Sequence, residues 1–261
     1  MKVFFVHSGM YEYILKEEDC KLLVNYVYMN KQYPRHPDIP YGFKEVIIDS
    51  GGFQALTGTG EAYINGYTLW LQLMLPKHPE VLGYFNLDQK LLKDTINNQL
   101  YMESEGLEPI PVWHTWDGTD TLDDYCSTHE WISIGGIVSS GAISKKDIFS
   151  LLAWLILRYP NNRFHILGVG LSGSTAFKQF RPYSVDFSTW STVSRFGHEI
   201  VYDKKTLAKE VSMSDSDRER LRKDKVFAES IVRRSVKVLK NFEQQVNDLV
   251  ITETQSGFKF N

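Results

Sequence analysis

Eight short runs of β-branched and aromatic residues punctuate this chain, and longer helix-forming segments separate them. The runs are Val3–Val6, Glu45–Ile48, Gly83–Leu87, Ile110–Trp113, Trp131–Ile134, Phe164–Leu167, Ser184–Phe187 and Glu199–Tyr202. Between most of them lie amphipathic stretches such as Glu17–Met29, Tyr67–Leu75, Leu91–Ser104 and Lys145–Leu157. A strand followed by a helix returns to its sheet through a crossover, so the alternation predicts a parallel sheet. Eight such units predict closure into an α/β (β/α)8 TIM barrel, with an open doubly wound sheet as the rival arrangement. A length of 261 residues suits one such barrel.

After Tyr202 the pattern changes. Ser214-Asp215-Ser216-Asp217 reads as a helix N-cap with an acid three residues on. Leu221, Ala228, Val232, Leu239, Phe242, Val246 and Leu249 then recur at helical spacing, predicting a long helix broken at most once. The expected division is a catalytic barrel over 1–203 and a helical extension over 204–261 packed on it. The Pro-rich stretch at 33–42, YPRHPDIPYG, reads as a surface connection.

Charge and cysteine usage narrow the setting. The net charge is −3, which does not by itself announce a nucleic-acid binder. Residues 204–240, however, hold twelve Lys/Arg and six Asp/Glu, a local +6 on a body of −9. Such a segment is either a solvated helix face or a phosphate-contacting element. No apolar run is long enough to span a bilayer. MKVFFVHSGMYEY lacks a small-residue cleavage site and reads as a first strand. Two distant cysteines, Cys20 and Cys126, point to a reducing, cytoplasmic compartment and away from a cysteine-rich zinc site.

The strand ends carry the chemistry. The first run ends in His7-Ser8-Gly9, the second in Asp49-Ser50-Gly51-Gly52, the third in Asp88 and the fourth in His114. The fifth ends in Gly135-Gly136, the sixth in Gly168-Val169-Gly170, and the seventh contains Asp186. Taken singly, a glycine there is a turn and an Asp is a cap. In a parallel barrel all these ends surround one mouth, where active sites are built. The set supplies three carboxylates, Asp49, Asp88 and Asp186, and a possible base, His114. HExxH, paired CxxC, GxSxG and P-loop motifs are missing from the sequence, and GVGLSG at 168–173 is only a faint dinucleotide fingerprint. Carboxylates without a metal or cofactor do acid/base work or attack an anomeric carbon.

Four stretches, in order, resemble the tRNA-guanine transglycosylase superfamily. DSGGFQ at 49–54 matches its signature loop. FNLDQ at 85–89 resembles the strand ending in a base-recognising Asp, and ISIGGIVSSG at 132–141 its glycine pair. HILGVG with SVDFSTW resembles the family's LMGVG and VDMFDC pair, whose Asp is the nucleophile. The resemblance covers about residues 3 to 200. It implies that Asp186 attacks the anomeric carbon of a guanosine unit and displaces guanine. A free 7-deazaguanine then enters with retained configuration. By the same resemblance Asp49 handles protons, and Asp88 and His114 read the base edge. Gly135 and Gly136 offer backbone donors, and Ser50, Gly51, Gly52, Phe53, Gln54, Gly168 and Gly170 line the site. Phe53 is either a stacking face or a core aromatic.

This chain departs from the tRNA-acting members. Two cysteines cannot build their three-cysteine, one-histidine zinc site, and His114 stands where they carry Gln. Arg195 is the only arginine near the nucleophile strand, at a different spacing. A compact, zinc-free form resembles the DNA-modifying branch found in phages and bacterial genomic islands. DNA is therefore the expected partner, with the 204–240 segment tracking phosphates. The alternatives are tRNA as substrate, an N-glycosidic hydrolase using water, or a non-catalytic nucleic-acid-binding barrel. No metal is expected.

Overall fold

A computed structural model describes residues 1–32, 38–52, 62–137, 145–193 and 195–249. Eight parallel strands alternate with helices. The strands are β1 (Lys2–Val6), β2 (Lys21–Asn25), β3 (Val46–Asp49), β4 (Val81–Tyr84), β5 (Val112–His114), β6 (Trp131–Gly135), β7 (Arg163–Ile166) and β8 (Ser184–Phe187). The sheet order is β4-β3-β2-β1-β8-β7-β6-β5. A parallel bridge between Phe85 and Ile110 joins its two edges. There Ile110 N–H donates to the Tyr84 carbonyl at 2.8 Å and Asn86 N–H to the Ile110 carbonyl at 3.0 Å. The ring is therefore closed, and the fold is the expected TIM-barrel-like α/β architecture.

The period of two sorts the side chains into two cores. Inside the barrel lie Phe4, Leu23, Ile47, Phe85, Ile110 and Val112. Val3, Phe5, Leu22, Val24, Val46, Ile48, Ile132, Ile134, Phe164, Ile166, Val185 and Phe187 face outward under the helices. In β1 and β3 both faces are largely apolar, so Val3–Val6 and Val46–Ile48 read as unbroken apolar runs. Each such side chain contributes about 1.5–3 kcal/mol of burial.

The helices in chain order are α1 (Glu12–Glu17), α2 (Tyr26–Gln32), α3 (Ile64–Met74), α4 (Leu92–Ser104), α5 (Thr119–Thr128), α6 (Lys145–Arg158), α7 (Ser174–Phe177), α8 (Thr189–Thr192), α9 (Asp215–Lys223) and α10 (Lys225–Asp248). Two strand expectations are corrected. The segment Glu17–Met29 is not one helix: α1 ends at Glu17, Asp19 takes a left-handed turn (φ 51°), and β2 follows. Leu22, Leu23, Val24, Tyr26 and Val27 satisfy helical spacing, but the run is short and pairs on both sides, with β1 and β3. The run Glu199–Tyr202 is a strand outside the barrel. It belongs to β9 (His198–Asp203), which pairs antiparallel with β10 (Leu207–Ser212). That hairpin crosses residue 203, the expected domain boundary.

The C-terminal helix takes the place of the eighth barrel helix. Val232, Val236, Leu239, Phe242 and Val246 of α10 are buried in the same core as Phe177 and Phe187. Its far end reaches the start of the strands: Lys21 pairs with Glu243 at 2.7 Å, and Asn247 donates to the Met1 carbonyl at 2.9 Å. So α10 runs antiparallel to β8 and β1, as a barrel helix does, with the hairpin and α9 inserted before it. Ser214 caps α9 by accepting from Asp217 N–H at 3.2 Å, as expected, and Asp224 breaks the helix once and caps α10. The segment 33–37 of the Pro-rich connection lies outside the described residues. Among the described residues no helix is long and apolar enough to cross a membrane.

Candidate active site at the barrel mouth

Parallel strands place all their C-terminal ends on one side, and Asp49, Asp88, His114, Gly135 and Asp186 all occupy that side. Asp49 is the last residue of β3, in register with Asn25 at the end of β2. The Asn25 Nδ2 amide donates to Asp49 Oδ2 at 2.5 Å, while its Oδ1 accepts from Tyr28 N–H at 3.0 Å and caps α2. The cap thus fixes which end of the amide meets the carboxyl. Gly51 N–H donates to Asp49 Oδ1 at 3.2 Å. Gly51 adopts φ +86°, and a Cβ there would lie 2.4 Å from Val27 Cγ2, so only glycine fits. Burial raises the Asp49 carboxyl from 3.8 to about 7, and the charge of Asp88 adds to this. The Gly51 and Asn25 hydrogen bonds oppose the rise, and Asp186 adds a smaller push upward. A carboxyl poised near neutrality both gives and takes protons.

Asp88 sits just beyond β4 and is the hub of a second group. Ser50 Oγ–H donates to its Oδ1 at 3.3 Å, and His114 Nε2 lies 2.9 Å from its Oδ2. The opposite ring nitrogen, His114 Nδ1, is 3.4 Å from Asp117 Oδ2, which also accepts from His114 N–H at 2.9 Å. Burial opposes a charge on His114. Hydrogen bonds to Asp117 and Asp88, with the charges of both, outweigh that and raise it from 6.5 to about 9. The imidazole is thus cationic at neutral pH and clamped between two carboxylates. Trp116 stacks on it, with ring centroids 4.6 Å apart and planes 5° from parallel.

Three glycines make room for this group. A Cβ on Gly52 would stand 1.9 Å from Asp88 Oδ1 and 2.7 Å from the Asp88 carbonyl oxygen. One on Gly135 would stand 2.9 Å from His114 Cδ2, and one on Gly136 (φ +79°) 2.5 Å from Trp116 Cζ3. The DSGG and GG stretches therefore lack side chains because the carboxylate, imidazole and indole occupy that space.

Asp186, on β8, is buried. Its Oδ1 accepts from Gly168 N–H at 2.8 Å and lies 3.5 Å from His165 Nε2. Gly168 takes φ +69° to aim that N–H. Gly170 (φ +52°) opens the following 3-10 turn, and a Cβ there would make only ordinary contact with Phe187. Asp186 Oδ2 has no hydrogen-bond partner among the described residues. Phe53 and Gln54 lie outside the described residues.

The structure thus gathers Asp49, Ser50, Gly51, Gly52, Asp88, His114, Gly135, Gly136, Gly168 and Asp186 at one end. It pairs Asp88 with His114, where the sequence reading set them side by side against a ligand. Asn25, Trp116 and Asp117 were missed. Asn25 was hidden by the helical reading of β2. Asp117, three residues after His114 in a Thr-Trp-Asp-Gly turn, was the legible signal. Among the described residues no cluster of three or more His, Cys, Asp or Glu is arranged to hold a metal ion. Burial pushes the Cys20 and Cys126 thiols up to about 12, which leaves them unreactive at neutral pH.

The basic segment is less free than its composition suggests. Arg233 pairs with Glu17 and Lys237 with Glu18, which docks α10 on the end of α1; Arg234 pairs with Glu199 of the hairpin, and Arg233 also with Glu229 within α10. Arg218, Arg220 and Lys223 pair locally with Asp215, Asp224 and Glu219. Lys204, Lys205, Lys209, Arg222 and Lys225 make no ion pair among the described residues. No protein-family model and no curated protein matches this chain.

Proposed function

We propose that the chain is a transglycosylase that exchanges guanine in nucleic acid, DNA in preference to tRNA, for a 7-deazaguanine. The observation that carries this reading is the meeting of Asp49 and Asp186 at one barrel mouth, with Asp49 titrating near 7. An Asp186 oxygen bonds to C1′ as the C1′–N9 bond breaks, and guanine leaves with a proton from Asp49. The entering base loses a proton to Asp49 as its N9 bonds to C1′ and releases Asp186. Two inversions retain configuration. Asp186 suits the first role because Gly168 holds one oxygen and the other has no described partner. Asp49 suits the second because it can return the proton it gives. Asp88, clamped by Ser50 and His114, is a fixed acceptor for the donor edge of a guanine-like base.

The target nucleotide must leave its stack to reach such a mouth. Lys204, Lys205, Lys209, Arg222 and Lys225, which make no ion pair among the described residues, are the candidates for phosphate contact. DNA is preferred because the chain lacks the cysteines of a tRNA-type zinc module. The test is base exchange on duplex DNA and on tRNA in parallel, each with and without a 7-deazaguanine. Exchange into DNA supports the reading. Exchange into tRNA alone corrects the substrate, release of guanine without a new base makes it a hydrolase, and no reaction with either removes the enzyme.

A further inference from the structure

Directly below Asp186 the barrel interior changes character. Most of the inner layer is apolar, but Ser133, His165 and Ser184 are register neighbours across β6, β7 and β8, and all three are fully buried. The His165 ring lies among Phe85 and Phe4, at centroid distances of 4.9 and 6.2 Å. Its Nδ1 is 2.8 Å from Ser184 Oγ. Its Nε2 is buried without a hydrogen-bond partner and points at Asp186 Oδ1 across 3.5 Å.

Two proton arrangements are available to this pair. With the proton on Nδ1, Ser184 accepts it, and the Nε2 lone pair opposes the lone pairs of Asp186 Oδ1. With the proton on Nε2, the Ser184 hydroxyl donates to Nδ1 and Nε2–H donates to Asp186. Of these two neutral tautomers, only the second gives the Ser184 hydroxyl, both His165 ring nitrogens and Asp186 Oδ1 complementary partners. Each ring nitrogen's role follows from the bond made by the other.

We propose that His165 carries a proton on Nε2 and is a positioning residue for Asp186. Together with Gly168 N–H it places two donors on Oδ1, holding the carboxylate plane and leaving Oδ2 as the oxygen that forms the bond to C1′. That catalytic consequence rests on the nucleophile role proposed for Asp186; the protonation pattern does not.

The protonation pattern is read from long-range proton–nitrogen NMR of the uniformly labelled protein, with His165→Gln assigning the ring. A proton on Nε2, with a resonance displaced by Asp186→Asn, is the expected result; a proton on Nδ1 alone overturns the proposal. The second arm compares the rate of covalent capture of guanine-containing duplex DNA at saturation. His165→Gln keeps an N–H near the Nε2 position and is expected to stay within a few-fold of the parent. His165→Asn places its amide near Nδ1 instead, and is expected to be about 10- to 100-fold slower with little change in KM. Equal rates for the two variants overturn the positioning role. Thermal unfolding of both variants identifies a folding failure, in which case the NMR arm decides. If the parent protein captures no DNA, the transglycosylase reading fails while the NMR arm still judges the proton on Nε2.

Discussion

Replacing Asp49 by Asn should turn from a small loss of stability near pH 4 into a gain above pH 7. Asp49 is held at about 7 in the folded protein against an ordinary 3.8. The folded state therefore keeps a proton that the unfolded chain releases above pH 4. Stability falls as pH climbs from about 4 and levels off above about 7. Three decades of pH at about 1.36 kcal/mol each give a ceiling of ~4 kcal/mol. The amide cannot ionise and removes this term. It also turns an NH2 toward either Asn25 Nδ2 or Gly51 N–H, which costs about 1 kcal/mol at every pH. The variant is thus expected to be about 1 kcal/mol less stable than the parent at pH 4 and about 2–3 kcal/mol more stable at pH 8. Urea unfolding of both proteins at four pH values between 4 and 8.5 measures this. Taking the difference cancels His114 and the surface groups, apart from coupling to Asp88 and Asp186. A variant-minus-parent difference that does not change with pH would refute the elevated Asp49 carboxyl.

Other expectations follow from the same geometry. His114 should titrate near 9 by NMR, and Asp117→Asn should draw its midpoint down toward 6.5; an unmoved midpoint contradicts the two-carboxylate clamp. Because its folded value is raised, His114 contributes stability that is complete below 6.5 and lost as pH passes 9. Gly52→Ala should cost about 1–3 kcal/mol in thermal or urea unfolding, since its Cβ meets both the Asp88 carboxylate and the backbone oxygen. Gly118→Ala, with nothing within 4 Å and φ −64° at the N-cap of α5, should lose only the cap preference, at most about 1 kcal/mol, and a loss equal to that of Gly52→Ala would sink the packing account. Phe242→Ala should cost about 3–5 kcal/mol in a single unfolding transition; separate unfolding of the C-terminal segment would show that α10 is not the eighth barrel helix.

Seven of the eight barrel strands are legible because each is a short run whose outward-facing positions are β-branched, aliphatic or aromatic, whatever its inner face carries. The eighth, β2, is written in the same alphabet as a helix: Leu22, Leu23, Tyr26 and Val27 fit a 3.6 period as well as a strand. Only its partners on either side decide, and in register these lie 17 residues away in β1 and 24 in β3. The β9 signal is a true strand signal, but a sequence run does not say which sheet it joins. The hairpin it forms separates β8 from its helix, so α10 reads as an appendage although it closes the barrel wall. The acidic site residues are visible because parallel topology converts strand ends into neighbours. What stays hidden is how they pair. Asp88 meets His114 across 26 positions and Asn25 meets Asp49 across 24, and the glycines between them look like turns until the side chains filling their space are seen.

The transglycosylase account stands on Asp186 as nucleophile, and its most direct test is to trap and map the covalent intermediate. The protein is incubated with guanine-containing duplex DNA and a 7-deazaguanine, denatured, digested and read by peptide mass. The account predicts a denaturation-resistant complex attached at Asp186, abolished in Asp186→Asn and still formed to some extent in Asp49→Asn, where proton handling is worth about 10²–10⁴-fold. An adduct on Asp49, or full exchange activity in Asp186→Asn, would contradict it.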